Sequence, residues 1–142
     1  MATILNVNRE GKPLAMGDTI TNIIVSREIG ARHVTVNYTR YEPGDEFPQH
    51  VHEESEDVLF VFTGSGWLKE GERMTPIQAG DVIFVRPGEV HGVVAGPSGM
   101  AILGCQAPPD PKRERLAREA GGSGLCVRDW PWRSWGRPGC ST

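Results

Sequence analysis

Glycine and proline interrupt this 142-residue chain at short intervals, and that spacing limits what the chain can fold into more than any other feature. Turns are predicted at Pro43-Gly44, Gly64-Ser65-Gly66, Ala79-Gly80-Asp81 and Pro87-Gly88. The runs between these turns are too short for most helices, but they have the length of β-strands. Short strands separated by turns in this way predict an all-β sandwich or barrel.

The runs between the turns also have the composition of strands. Val34, Val36 and Tyr38 alternate with polar residues, as in a strand with one buried face. The runs 58–62 and 82–85 are continuously apolar, which predicts strands buried on both faces. Two further strands are expected at 20–27 and 100–103.

The C-terminal part of the chain differs from the rest. Pro111 suits the first position of a helix over Lys112 to Ala120, and Gly121-Gly122 would end it. Leu116 is the only large apolar residue of that helix, so the helix has little to bury. We therefore expect one domain, with the barrel in residues 1–110 and a helix and Gly/Trp-rich tail in 111–142. That tail is either a loosely attached end or a clamp that packs on the barrel or on a partner subunit.

Charge and hydropathy exclude several classes of protein. The net charge of −3 offers no basic surface for nucleic acid. No apolar run approaches the roughly 18–20 residues needed to span a bilayer, and the first residues lack the pattern of a signal peptide. We expect a cytoplasmic protein without a nucleic-acid or membrane partner. The cysteines Cys105, Cys126 and Cys140 are odd in number and lack C-x-x-C spacing, so they predict no disulfide framework.

Three of the four histidines form a pattern that is typical of a metal site. His50 and His52 are two residues apart, so on a strand both imidazoles point to the same face. Asp57 follows a short polar loop and can come back level with them in an antiparallel pairing. The turn at Pro87-Gly88 can deliver His91 from a separate strand. Three neutral imidazoles and a carboxylate suit one divalent ion, which would be Fe, Mn, Zn, Ni or Co.

The fourth ligand is less certain than the three histidines. Glu56 lies four residues after His52 and Asp57 lies five after it, and strand alternation prevents both from pointing inward. The apolar run that follows favours Asp57. Because Asp is one methylene shorter than Glu, a three-histidine centre without a carboxylate is the third alternative.

At these positions the chain resembles the cupin family. The family's first motif, G-x5-H-x-H-x3–4-E-x6-G, matches at Gly44, His50, His52 and Gly64, with Asp57 where the family usually has Glu. Its second motif matches at Gly80, Gly88 and His91, with Ala95 in place of the usual asparagine. The resemblance covers about residues 30–107. It implies a double-stranded β-helix (jelly-roll) barrel with one divalent metal, a small-molecule substrate or ligand and a homodimeric assembly.

The resemblance does not fix the reaction, because cupins include dioxygenases, isomerases, decarboxylases, lyases and binding proteins. Our first hypothesis is a metal-dependent enzyme that acts on a small organic molecule. A centre of three histidines with a weak or absent carboxylate resembles the small single-domain dioxygenases. The alternatives are a sugar or uronate isomerase or lyase, and a non-enzymatic cupin that binds a small molecule.

Four other polar residues are weaker candidates. Glu46 lies four residues before His50, so it can share the inward face of the strand. Tyr38 and Arg86 are possible contacts for a polar substrate. His33 is expected to be structural or solvated.

Overall fold

The fold is built from short strands, as the spacing of turns predicts. The computed structural model describes residues 1–120, and the predicted tail clamp, Cys126 and Cys140 lie outside the described residues. The strands are β1 (Lys12–Met16), β2 (Thr19–Val25), β3 (Thr35–Tyr41), β4 (Glu46–His50), β5 (Glu56–Glu70), β6 (Arg73–Gln78), β7 (Val82–Val85) and β8 (His91–Ala107). A single 3-10 turn (Arg27–Ile29) follows β2, and one helix, α1 (Pro111–Ala120), follows β8.

All eight strands belong to one antiparallel sheet, which confirms the all-β prediction. The strands follow the order β1-β2-β3-β8-β5-β6, while β4 pairs with β8 and β7 pairs with β5. The long strand β8 is therefore the centre of the fold, because it pairs with β3, β4 and β5. None of the helices in the described part of the chain has the length and apolar character that a membrane span requires.

The register of β3, β8 and β5 sets which side chains meet inside the barrel. Gln106 on β8 lies opposite Thr35 on β3 and opposite Asp57 on β5, and all three side chains are buried. This row is polar. Further along the same strands the interior becomes apolar, and the main core cluster consists of Tyr41, Phe47, Val61, Ile77, Val93, Ala95, Met100 and Ile102.

The close approach of β5 and β8 explains one glycine of the first motif. Gly64 has a φ of 77°, which favours glycine. A Cβ at this position would overlap the carbonyl oxygen of Gly99 on β8. Gly64 is therefore required where the two strands cross at the apolar end of the barrel.

The apolar run in β5 is not buried on both faces, contrary to the prediction. Val61 is fully buried, but Val58 and Phe62 are 38% and 57% exposed. Val82 and Phe84 on β7 are exposed as well, and the register pairs Val58 with Phe84. The outer side of β5 and β7 is thus an apolar surface, which we call the outer face (Val58, Phe60, Phe62, Val82 and Phe84).

Helix α1 occupies the predicted segment, but it does not pack through Leu116. That side chain is 43% exposed, whereas Arg113 is 8% exposed. The Arg113 guanidinium donates a hydrogen bond of 3.3 Å to the Asn37 side-chain oxygen on β3. Among the helix side chains that the structure describes, the buried one is therefore a cation, Arg113.

Candidate metal centre

The barrel brings His50, His52, Asp57 and His91 together at its polar end. His50 ends β4 and His91 begins β8, and the two residues are partners across the strands. His52 lies in the loop after β4, and Asp57 lies at the start of β5. One nitrogen or oxygen from each of the four residues lies within 4.8 Å of the others. These atoms come from β4 and the loop directly after it, from β5 and from β8, so the folded barrel is needed to assemble them.

Three of the distances between these atoms are close to those between ligands of one ion, and the whole set lies within 4.8 Å. His50 Nε2 is 3.1 Å from His52 Nε2, and Asp57 Oδ2 is 3.5 Å from Nε2 of both His52 and His91. Two ligands bonded to a single ion at about 2.1 Å lie roughly 3.0–3.4 Å apart in octahedral or tetrahedral geometry. The four side chains therefore surround a space of the right size for one divalent ion.

The other ring nitrogen of each histidine holds that imidazole in place. In His50, Nδ1 donates to the carbonyl oxygen of Pro48 at 2.7 Å. In His91, Nδ1 donates to the carbonyl oxygen of Glu89 at 3.0 Å. In His52, Nδ1 donates to the Asp110 carboxylate at 2.7 Å. Because each Nδ1 carries the proton, each neutral imidazole presents an Nε2 lone pair to the shared space. Metal-binding histidines are almost always held in this way.

Two buried polar atoms in the cluster lack hydrogen-bond partners within the described part of the chain. They are Asp57 Oδ1 and His91 Nε2, on side chains that are only 2% exposed. Buried polar atoms without a partner are costly, so each calls for an explanation. A bound divalent ion would satisfy the His91 nitrogen and offset the charge of the Asp57 carboxylate. The donor set therefore fits a metal.

The electrostatics of the cluster favour the protonation states that a metal requires. Burial lowers the pKa of His50 to about 4, and the neighbouring His91 and His52 contribute to the shift. Burial alone would raise the pKa of Asp57. Its contacts with His52 and His91, together with the charge of Arg113, outweigh burial and hold this pKa well below its usual range. Near neutral pH, His50 is thus neutral and Asp57 is ionised.

The structure separates the weaker candidates from the cluster. Glu56 is exposed, whereas Asp57 on the opposite face of β5 is buried among the histidines. Glu46 forms an ion pair with Lys69. The substrate contacts suggested for Tyr38 and Arg86 stay predictions: Tyr38 packs against Phe62 of the outer face, and the Arg86 side chain is 67% exposed. His33 is exposed, as expected.

Three residues of the site lie outside the motifs, and the sequence analysis missed them. The Gln106 amide nitrogen lies 3.0 Å from His52 Nε2, and Asp110 holds the opposite nitrogen of the same ring. Arg113 interacts electrostatically with both Asp57 and Asp110. All three come after the apolar part of β8 in the sequence. The alternation of that strand could have indicated Gln106, but no local pattern marks the other two.

The comparison with protein families agrees with this geometry. The family described as the cupin domain matches residues 37–103, a range that includes all four cluster residues. The chain is a member of the cupin superfamily. The double-stranded β-helix predicted from the resemblance is thereby confirmed. Among curated proteins, no significant match was found.

Solved structures show the same cupin architecture. A conserved protein with a double-stranded β-helix domain from Klebsiella pneumoniae is 25% identical over 76% of this chain and 91% of its own, with a TM-score of 0.65. The polyketide cyclase RemF from Streptomyces resistomycificus is 24% identical over 78% and 82%, with a TM-score of 0.68. KdgF from Halomonas sp. is 12% identical over 80% and 99%, with a TM-score of 0.67. The cupin fold is thus shared across widely diverged sequences.

Proposed function

We propose that this cupin is a metal-dependent enzyme that acts on a small organic molecule, with His50, His52, Asp57 and His91 as the ligands of one divalent ion. One observation carries the proposal: three Nε2 atoms converge beside a carboxylate, and each Nδ1 is fixed by a separate acceptor. When bound, such an ion polarises a carbonyl or carboxylate oxygen as a Lewis acid. The similarity to a polyketide cyclase supports an enzymatic role over a purely binding one.

Within the enzyme classes, the position of Asp57 favours an isomerase or lyase over the dioxygenase-like hypothesis. The dioxygenase resemblance depends on a three-histidine centre whose carboxylate is weak or absent. Here Asp57 Oδ2 is equidistant from His52 and His91, and its carboxylate is ionised. The site therefore differs from the weak-carboxylate centre on which the dioxygenase resemblance depends, and for this reason we place the isomerase or lyase first. The carboxylate does not itself exclude O2 chemistry, because histidine and carboxylate ligands also hold Fe(II) in oxygenases.

The residues of the chain have separate roles in this proposal. Asp110 and the carbonyl oxygens of Pro48 and Glu89 orient the three imidazoles, so little reorganisation is needed when the ion binds. The apolar core cluster packs beyond the site, and its Phe47 ring lies against the His50 ring. Apolar surroundings lower the local dielectric, and a lower dielectric strengthens charge interactions.

Elemental analysis of the purified protein tests the metal centre. We expect close to one divalent ion per chain, and we expect His91→Ala to lose it because the ion would keep only three of four ligands. The matched control is His33→Ala, which removes an exposed histidine outside the cluster and should retain the ion. Wild-type protein that neither contains metal nor takes it up on dialysis would overturn the proposal.

Assays with and without O2 distinguish the two enzyme classes. A panel of small hydroxy- and keto-acids should be turned over equally well under argon and in air, with no oxygen uptake at the electrode. Turnover that requires O2, and stops under argon, would contradict the isomerase or lyase assignment while leaving the metal centre intact.

We also propose that the protein is a homodimer that pairs through the outer face. Val58, Phe62, Val82 and Phe84 form an exposed apolar surface on adjacent strands, and such surfaces often mark interfaces. Light scattering should give twice the chain mass, and Phe62→Ser with Phe84→Ser should give the monomer. A monomeric wild-type protein would exclude the dimer. The cytoplasmic location stays a prediction from the sequence.

A further inference from the structure

A cavity lies between strands β1–β3 and helix α1. Its volume is about 130 Å³, and its wall includes Ile23, Thr35, Asn37, Arg113, Glu114 and Arg118. The lining residues come from β1, β2 and β3, from the segment that follows β2, and from α1. This cavity is separate from the four proposed metal ligands, since none of them lines it.

Two buried polar atoms next to this cavity have no partner among residues 1–120. Thr35 lines the cavity, and its hydroxyl oxygen makes no hydrogen bond although the residue is only 4% exposed. Gln106 lies directly opposite Thr35 in the sheet, is fully buried, and has an unpartnered side-chain oxygen. Groups buried in this way are stabilised only when another polar group reaches them. The pair therefore points to a polar ligand group in the cavity.

The charges around the cavity favour an anion. The wall contains four cationic and two acidic side chains. The acidic ones are already paired, Glu28 with Lys12 at 2.7 Å and Glu114 with Arg27 at 3.1 Å. Arg118 forms no ion pair among residues 1–120, whereas Arg113 shares its charge with Asp57 and Asp110 of the metal centre. Arg113 is buried, and a buried guanidinium suits the planar geometry of a carboxylate.

Gln106 connects this cavity with the metal centre. Its amide N–H donates to His52 Nε2, because Nδ1 of that ring carries the proton. The Nε2 lone pair is the one that a metal would take. Metal binding therefore releases the Gln106 amide, which then lacks a partner at both its nitrogen and its oxygen in a fully buried position. A carboxylate in the cavity would accept from the released N–H, whereas the Gln106 oxygen, which only accepts, needs a donor such as a hydroxyl group of the same ligand.

We propose that this cavity is a subsite for a carboxylate group of the substrate, bound by Arg113 and Thr35, with Gln106 between the carboxylate and the metal. This inference rests on the proposed function, because it takes the molecule that binds in the cavity to be the substrate of the enzyme. The volume is well below the roughly 300–1,000 Å³ of pockets for drug-sized molecules. The subsite therefore takes a carboxylate with a short carbon chain, and the rest of the substrate extends toward the metal.

Direct binding of small carboxylates tests this subsite without any assay of activity. Acetate, malonate, succinate and glutarate would be titrated into metal-free and metal-loaded protein by calorimetry, with the corresponding amides as neutral controls. We expect the carboxylates to bind the metal-free protein and the amides not to bind. We expect tighter carboxylate binding after metal loading, because the Gln106 amide is then released.

Thr35→Val is the decisive variant. The hydroxyl it removes has no hydrogen bond to lose, so the fold should be as stable as in the wild type. Carboxylate affinity should nevertheless fall about three- to tenfold, as expected for one lost hydrogen bond. Thr19→Val is the control: it removes a buried hydroxyl bonded to Met16 outside the cavity, and affinity should be unchanged. Arg113→Met should weaken binding by about tenfold or more.

The outcomes separate this inference from the proposed function. Metal uptake without carboxylate binding would contradict the proposed subsite but would agree with the proposed metal centre. Carboxylate binding that is the same in Thr35→Val and wild type would also overturn it, because the anion would then lie elsewhere. Carboxylate binding lost in Thr35→Val, in protein that takes up no metal, would support the subsite and overturn the proposed function.

Discussion

The two ends of the barrel interior are built by the same strands, yet they differ in chemistry. On β5, Asp57 and Val61 lie four residues apart on the same inward face, and on β8 the same is true of Gln106 and Ile102. The end with Asp57 and Gln106 contains polar side chains, some of them without partners. The end with Val61 and Ile102 is an apolar cluster. A single sheet can thus supply stability at one end and a binding site at the other.

The difference has a thermodynamic consequence. Burial of apolar side chains stabilises the fold, whereas burial of polar atoms without partners costs stability unless a ligand satisfies them. We expect substitutions at the apolar end to change the free energy of unfolding and to leave ligand affinity intact. Substitutions at the polar end should do the reverse.

The largest expected effect on stability is at the apolar end. Ile102 is 3% exposed within the core cluster, so Ile102→Ala should lower the free energy of unfolding by about 2–5 kcal/mol. Urea denaturation measures this change, and metal affinity should stay within twofold of the wild type. Ile20→Ala, at a site that is 40% exposed, is the control and should change stability little. Strongly weakened metal binding in a folded Ile102→Ala protein would contradict the expectation that the apolar end contributes to stability and not to ligand affinity.

The next effect is on metal affinity at the polar end. Asp110→Ala removes the acceptor that orients His52, and the loss of such an outer partner typically weakens metal binding tenfold to hundredfold. Competition with a chelator measures the affinity. Asp110 also accepts a hydrogen bond from the Lys112 backbone nitrogen, so Asp81→Ala, which loses a similar bond to Gln78, is the matched control. Equal metal affinity in both variants would contradict the role of Asp110.

The smallest effect is a dependence of stability on pH in the metal-free protein. The pKa of His50 is lowered from 6.5 to about 4, so the unfolded chain binds more protons than the folded one between these values. The contribution of His50 to stability is therefore fully present above pH 6.5 and is lost as the pH falls toward 4. The lowered pKa of Asp57 acts below this window, since its usual value is 3.8.

Denaturation with a chelator present, at several values between pH 4 and 7, measures this slope. His50→Gln should flatten it, while His33→Gln at an exposed position should leave it as in the wild type. A slope that is the same in His50→Gln and wild type would show that other groups cause the loss of stability in acid.

Local spacing in the sequence indicated the apolar runs, the helix and the ligands His50, His52 and Asp57. His91 lies on a separate strand and was indicated by the turn before it and by the family motif. Side chains two residues apart on a strand point to the same face, which placed His50 and His52 together. The same alternation allowed either Asp57 or Glu56 to face inward, but not both. Burial was harder to predict. The run 58–62 is apolar on both faces, and nothing in it shows that Phe62 would be exposed.

The remaining parts of the site depend on tertiary contacts that leave no local pattern. Gln106 is one polar residue in a strand, and only the register shows that it lies between Thr35 and Asp57. Arg113 belongs to a helix whose composition suggests a solvated surface, but its guanidinium is buried against Asn37.

The two oxygens of the Asp110 carboxylate couple metal and helix. One accepts from a ring that faces the metal position, and the other from the first turn of α1. Coupling free energies are reciprocal, so if helix docking strengthens metal binding, then a bound metal must strengthen helix docking by the same amount. The Glu114 backbone amide, bonded to the Asp110 carbonyl at 3.0 Å, reports that docking. Its hydrogen exchange should slow as metal is titrated in, which makes the first turn of α1 a gauge of occupancy at the metal centre.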